Sequence, residues 1–399
     1  MRCVSGIGTQ LPVLTVARFA TNLSNLSRMS TRSLLLLTLL ASIASACTQT
    51  FNPVSPAVRP LVGGPIVIRN QHGRVYKGLQ IVSGARDCLE VTDSSDITIE
   101  TSDIGPCGGN GIVVNGSNTV RIYDSFIHPQ TRSKGCCDRN DGVLLENASD
   151  VVIQGDVIAY GESNVEAPQG VSNLTVVGNF LLNPRGPFPR GQNVQAWNAR
   201  NVVVRNNYTL SSRDTRRFVY PDDQEDSINF GKGTNFVAQG NYVTGGHSAS
   251  GCGLIADEGA NDVRFIDNRV VNSGECGIGI ASGATQVVKR NRVINRNPVG
   301  GAGNTAIYVW NQYEGVSCGP VTLSDNVATE VRRDGTQSGF WNGGGCDPVK
   351  LTGNTWNKDA EKLLLPVKVK LPPPLIPPQP RSCVIASPYS TQTRWPACP

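Results

Sequence analysis

The densest chemistry in the chain lies in one segment, Arg213-Asp-Thr-Arg216-Arg217-Phe-Val-Tyr220-Pro-Asp222-Asp223-Gln-Glu225-Asp226. Four carboxylates fall within its last five residues, and three arginines precede them. Carboxyl groups so placed can exchange protons as general acid and base. They also supply the oxygen ligands that Ca²⁺ takes, although without EF-hand spacing. The bland alternative is a solvated charged loop. Lys232, Gly246-His247 and Asp257-Glu258 follow, and Arg185 and Arg190 come before. A guanidinium can hold a ligand carboxylate through two parallel hydrogen bonds. Asp226, Asp223, Lys232 and His247 are therefore the catalytic candidates, with Arg185 and Arg190 as cationic clamps. For His247 a hydrogen-bonded turn residue among glycines is an equal reading.

A repeated phrase must position these groups. A short apolar alternation ending in Asn recurs roughly every 23 residues, as in Leu174-Thr-Val176-Val-Gly178-Asn179, Phe236-Val-Ala238-Gln-Gly240-Asn241 and Val321-Thr-Leu323-Ser-Asp325-Asn326. Weaker copies end at Ser102, Ser125, Asp156 and Asn291. Such a period means stacked supersecondary units. A second strand signature lies between the phrases, with inward pairs such as Leu89/Val91, Val194/Ala196, Ile228/Phe230 and Ile307/Val309. The residue before each such strand stands 14 or 15 positions ahead of the phrase end, except for 20 from Ala306 to Asn326. In the other direction the spacing varies, so insertions collect at one turn. Short strands without an intervening amphipathic helix predict an all-β fold, a right-handed parallel β-helix of about ten coils rising ~4.8 Å each. The recurring Asn should form an amide ladder inside a turn.

Alternation turns Gln195, Asn229 and Tyr308 outward, then Trp197, Asp257 and Trp310, with Trp341 at the end of the series. Asp141, Gln192 and Asp226 stand just before their strands. Amides, carboxylates and aromatic rings in one exposed strip are what a sugar chain needs, and exposed Trp residues mark a contact. Cover by a loop or by the tail is the competing explanation for Trp310 and Trp341. Counted along adjacent coils, Asp226 and Asp257 stand six strand positions apart, ~20 Å, too far for paired-carboxyl hydrolysis.

The pattern over roughly residues 62–357 resembles the right-handed parallel β-helix repeat proteins of the pectin-lyase-like superfamily. Asn183-Pro-Arg-Gly-Pro-Phe-Pro-Arg-Gly-Gln-Asn-Val-Gln195 and Gly245-Gly-His-Ser-Ala-Ser-Gly-Cys-Gly253 are similar to a bacterial subset of them. The resemblance implies polysaccharide lyases, glycoside hydrolases, epimerases or non-catalytic adhesins. Polygalacturonase-like hydrolases carry Asn-x-Asp, Asp-Asp, Gly-His-Gly and Arg-x-Lys in successive coils. Here Asp222-Asp223 precedes Gly246-His247, but Ser248 replaces the second Gly and no Arg-x-Lys follows. The expected function is an exported carbohydrate-active protein, a lyase or hydrolase of an acidic polysaccharide. A non-catalytic glycan-binding or structural cell-surface module is the alternative. A polysaccharide is the expected partner of a monomeric chain.

Residues 1–46 read as a leader, with Met29 as the true start: Arg32, the apolar run Leu34–Leu40, then Ala44-Ser-Ala46. Cys47 is either the residue after an ordinary cleavage site or the lipidated Cys of a lipoprotein, the one expected route to a membrane. Export would be to the periplasm, the outer membrane or the medium. A linker is expected at 47–61, the β-helix at 62–360 and a Pro-rich tail at 361–399. The net charge of +5 falls to +1 beyond the leader, because Arg2, Arg18, Arg28 and Arg32 leave 36 − 4 = 32 basic residues against 31 acidic ones. No basic strip for nucleic acid is visible. Beyond Cys3 and Cys47, 12 − 2 = 10 cysteines remain, an even count suited to disulfides. Stacking predicts Cys252–Cys276 and Cys318–Cys346, and Cys383–Cys398 would close the tail. Pairing among Cys88, Cys107, Cys136 and Cys137 stays open.

Overall fold

The computed structural model describes residues 61–129, 140–186, 191–211, 224–246, 250–296 and 304–364. They form the expected right-handed parallel β-helix, in which every coil contributes strands to three faces. On the first face Leu89, Ile112, Val143, Val165, Val194, Ile228, Leu254, Ile278, Ile307 and Phe340 stand in one register column. That is the predicted inward series, and Leu89 to Ile307 are fully buried. The phrase forms the second face, parallel throughout. Strands Val194–Arg205 and Ile228–Gln239 run unbroken through both faces.

The third face was not foreseen. Its strands, such as Phe180–Leu182, Tyr208–Ser211 and Tyr242–Gly245, follow the ladder residue and have two to five residues each. They are too short to show a period. A short helix, Asn357–Leu363, packs against the last strands of this face and buries Ala360. It runs three residues past the boundary expected at 360.

The Asn ladder runs through the turn between the second and third faces. Asn207 donates its backbone N–H to Asn241 Oδ1 at 3.0 Å, and Asn241 passes the same bond to Asn268 Oδ1 at 3.0 Å. Asn241 Nδ2 donates to the Val204 carbonyl at 2.9 Å and to Asn268 Oδ1 at 3.0 Å. Rungs continue to Asn354 and back through Asn179, Asp156, Ser125 and Ser102.

A second ladder lies before the first face. Asp87 Oδ1 accepts from Asn110 N, Asn110 Oδ1 from Asp141 N, and Asp141 Oδ1 from Ser163 N. Asp226 Oδ1 makes the same bond to Cys252 N at 2.7 Å. Asp141 and Asp226, expected on an exposed strip, are thus buried rungs. A carboxylate here satisfies the N–H of the next coil.

Cys252–Cys276 and Cys318–Cys346 form as expected, with Cα separations of 4.5 and 4.3 Å. Cys88 pairs with Cys107. Cys47, Cys136, Cys137, Cys383 and Cys398 lie outside the described residues, as do the leader, the linker up to residue 60 and the tail from residue 365.

Candidate functional site

Outward residues of the first face form rows along the stack. Gln195, Asn229 and Ile255 are neighbours in one row, and Tyr308 and Trp341 continue it two coils further on. Trp197, Gly231 and Asp257 form the row beside it. The first row is outward in register yet covered: Gln195 is 4% exposed, Asn229 1% and Tyr308 8%, whereas Trp341 at its end and Trp310 in the row beside it are 44% and 41% exposed. The row therefore has a buried polar floor and an open aromatic end. Trp310 and Trp341 meet edge to face with centroids 5.7 Å apart.

Glycine lets the rings lie flat. A Cβ on Gly231 would enter the Trp197 ring, and one on Gly279 would enter the Tyr308 ring. Lys232 Nζ sits 5.7 Å from the Trp197 ring centroid and 3.2 Å from Glu258 Oε2. Lys232 and Glu258 both occupy the left-handed region, at φ 45° and 38°. Asp93, Asn147 and Asn198 take the same conformation at the matching corner of other coils, so it belongs to the repeat.

Asp226, Asn229 and Asp257 meet between these aromatic ends. Asn229 Nδ2 donates to Asp226 Oδ2 at 2.8 Å, and its amide also hydrogen-bonds Asp257. By register Asp257 lies beside Gly231, five strand positions from Asp226 where six were counted, and the two carboxyls still interact electrostatically. Asp226 is 3% exposed, and burial pushes it well above the usual aspartate range, with Glu225 and Asp257 adding to the rise. The Cys252 N–H and Asn229 oppose that rise. Asp257 is half-buried and raised by burial, but three donors favour its ionised form: Tyr313 Oη at 2.6 Å, the Glu258 backbone N–H at 3.0 Å and Asn229. Burial thus pushes both carboxyls up, Asp226 well above the usual range, while Asp257 keeps the donors that favour its charged form. Asn229 Oδ1 is buried without a hydrogen-bond partner among the described residues.

Not every sequence candidate reaches this cluster. Arg185 is buried, and its Nε donates to the Tyr160 carbonyl at 2.6 Å, so its guanidinium is built into the turn instead of lying open on the strip. Arg190, Asp223 and His247 lie outside the described residues. The Ca²⁺ reading rested on the four carboxylates Asp222, Asp223, Glu225 and Asp226, of which the first two lie outside the described residues; among the described residues no group of three His, Cys, Asp or Glu could hold a metal ion. No helix among the described residues is long and apolar enough to cross a membrane.

Two site residues were missed. Glu166 precedes Gln195 in the outward row and is 5% exposed. It occupied the third strand position that picked out Gln195 and Asn229. Tyr313 lies in the extra length between Ala306 and Asn326, and the anomalous spacing of that coil was its signal.

Residues 65–209 match the family model described as right handed beta helix region. A polygalacturonase of Fusarium fujikuroi is 33% identical over 135 residues, 32% of this chain and 34% of its own length. The chain thus spans about a third of that curated relative. The catalytic domain of a GH87 alpha-1,3-glucanase, solved with nigerose, is similar in fold at TM-score 0.50 and 13% identity, over 74% of this chain and 59% of that one. A polygalacturonase from Erwinia carotovora is similar at TM-score 0.41 and 13% identity, over 71% of this chain and 87% of that one. With the observed three-faced parallel stack, the chain is a right-handed parallel β-helix protein, similar in sequence and fold to carbohydrate-active β-helix proteins.

Proposed function

We propose that the protein is an exported enzyme that cleaves an acidic polysaccharide by hydrolysis on the first face. Asp257 carries this reading: a partly exposed carboxyl that accepts from Tyr313 Oη and the Glu258 N–H, flanked along the stack by Trp197 and by Trp310 and Trp341. It is suited to take a proton from an attacking water. Asp226, buried behind Asn229, orients that amide by accepting its N–H. A second proton-transfer group is assigned to Asp223 or His247, which belong to insertions bordering these coils. Trp197 and the Trp310–Trp341 pair serve as stacking platforms, and Gln195 and Asn229 as hydroxyl partners. Lys232 faces solvent over Trp197 and is the group on this strip suited to a uronate carboxylate. Similarity to a polygalacturonase supports an acidic chain, and three disulfides support export.

The test is incubation with a panel of uronate polysaccharides and neutral glucans, followed by reducing ends and by the absorbance of unsaturated products. Hydrolysis gives new reducing ends without that absorbance. Asp257→Asn should lower the rate by about 10²–10⁴-fold, the range of general acid–base catalysis, with glycan affinity kept. Unsaturated products would mean β-elimination and would shift the base to Lys232. Binding without cleavage would leave a glycan-binding module.

A further inference from the structure

The coil that breaks the spacing rule carries a ten-residue connection, Asn311–Pro320, between strands Thr305–Trp310 and Val321–Ser324. It does not form a free loop. Gln312 N donates to the Ala281 carbonyl at 2.8 Å, and Gly319 N to the Gly283 carbonyl at 3.0 Å, so the segment lies back over the preceding coil. Gly283 N returns a bond to the Ser317 carbonyl at 2.8 Å. The segment then reaches one coil further: Val316 lies against Gly259, and Tyr313 Oη donates to Asp257 Oδ1 at 2.6 Å. Its two ends are tied. Asn311 N donates to the Gly344 carbonyl at 3.0 Å, and Cys318 is disulfide-bonded to Cys346 in the next coil. Underneath lies a small apolar cluster, separate from the main core, of Cys252, Ile255, Cys276, Ala281 and Tyr308, and Tyr313 packs on it.

We propose that residues 311–320 form a disulfide-anchored strap that walls one side of the first-face rows, and that Tyr313 is a positioning residue holding the Asp257 carboxylate toward a glycan. The proposal rests on the reading of Asp257 as the substrate-facing base. Two independent features give it physical content. The strap crosses two coils with backbone bonds at both ends, so Tyr313 is placed by the fold and not by its own rotamer alone. The ring is packed on the Cys252–Cys276 cluster, which fixes the direction of its O–H. A donor fixed in this way favours the ionised form of the acceptor.

The decisive variant is Tyr313→Phe, which removes one oxygen and keeps the ring on its cluster. Asp257 is followed by carboxyl ¹³C NMR titration in the full chain, so the readout does not need turnover. Its midpoint should rise by about one pH unit, the scale of one hydrogen bond to a charged group. On any glycan that the wild type cleaves, the acidic limb of the pH–rate profile should move up by the same amount. Rates then fall about tenfold on that limb and recover at higher pH. A merely structural role would lower activity evenly across pH. The double variant Cys318→Ser, Cys346→Ser tests the anchor by the same titration and should move Asp257 in the same direction. An unmoved Asp257 in Tyr313→Phe overturns the positioning role, and an unmoved Asp257 in the double variant overturns the anchor. A shifted titration in a protein that cleaves no glycan overturns the hydrolase reading while the strap contact stands.

Discussion

Asp156 shows how one residue in a repeat can carry a charge state. It is the rung between Ser125 and Asn179 in the amide ladder, and its Oδ1 accepts from Ser125 N at 2.7 Å. On the next rung, Asn179 Nδ2 donates to the Ile153 carbonyl and to Asn207 Oδ1. Asp156 presents Oδ2 where that N–H₂ would be, and Oδ2 has no partner among the described residues. Burial pushes Asp156 well above the usual aspartate range; Asp124 adds to the rise, and the backbone N–H groups of Ser125 and Gln154 oppose it. The folded state holds the proton more tightly than the unfolded chain does. Its stabilisation is complete below the ordinary aspartate range and is lost as pH rises through the folded value. Asp156→Asn should therefore raise stability at pH 7 by about 1–3 kcal/mol, by supplying donors to buried acceptors, and should do little at pH 4. Urea unfolding at both pH values measures it.

At the scale of elements, legibility followed periodicity. The first two faces and both inter-coil disulfides were readable because inward Leu, Val and Ile recur in register and the cysteines stack with them. The ladder was readable because one residue type recurs at one turn. The third face was not, since strands of two to five residues carry too little alternation to count. The second ladder escaped because its rungs differ in type: Asp87, Asn110, Asp141, Ser163 and Asp226. Asp87, Asn110, Asp141 and Asp226 each accept through a side-chain oxygen while Ser163 donates, and composition does not reveal the shared position. The Asp226–Asn229–Asp257 cluster was half legible. Its three members were named from alternation, yet their meeting depends on the Asn229 amide bridging to both carboxyls, which strand counting ignores. Asn241→Leu tests the ladder. It removes two acceptor bonds from Asn207 and two donor bonds, to Val204 and Asn268. A loss on the order of 4 kcal/mol is expected from stranded buried partners, read as a lower urea midpoint with an unchanged slope.

Across the whole molecule, stability should be distributed coil by coil, because each coil touches mainly its neighbours. The C-terminal coils carry the disulfide that ties the strap and the helix Asn357–Leu363. They also carry a second buried acid. Glu330 is pushed up to about 8 by burial, with Glu275 adding to the rise and Asn295, Arg332 and Asn304 opposing it. Asn295 Nδ2 donates to its Oε2 at 3.1 Å, while Oε1 has no partner among the described residues. As with Asp156, the folded state prefers the proton. The stabilisation is present below the usual glutamate range and is lost, at about 1.4 kcal/mol per pH unit, as pH rises toward 8. In a stack of weakly coupled units that loss is local, since an opening at the end does not require the centre to melt. Hydrogen exchange, compared as protection factors at pH 6 and pH 9, should show residues 321–356 losing protection at the higher pH. The Asn179–Asn268 ladder coils should keep theirs. Glu330→Gln should remove most of that difference. Uniform loss of protection along the whole stack would instead mean that the coils unfold as one cooperative unit, with Glu330 merely one contributor to it.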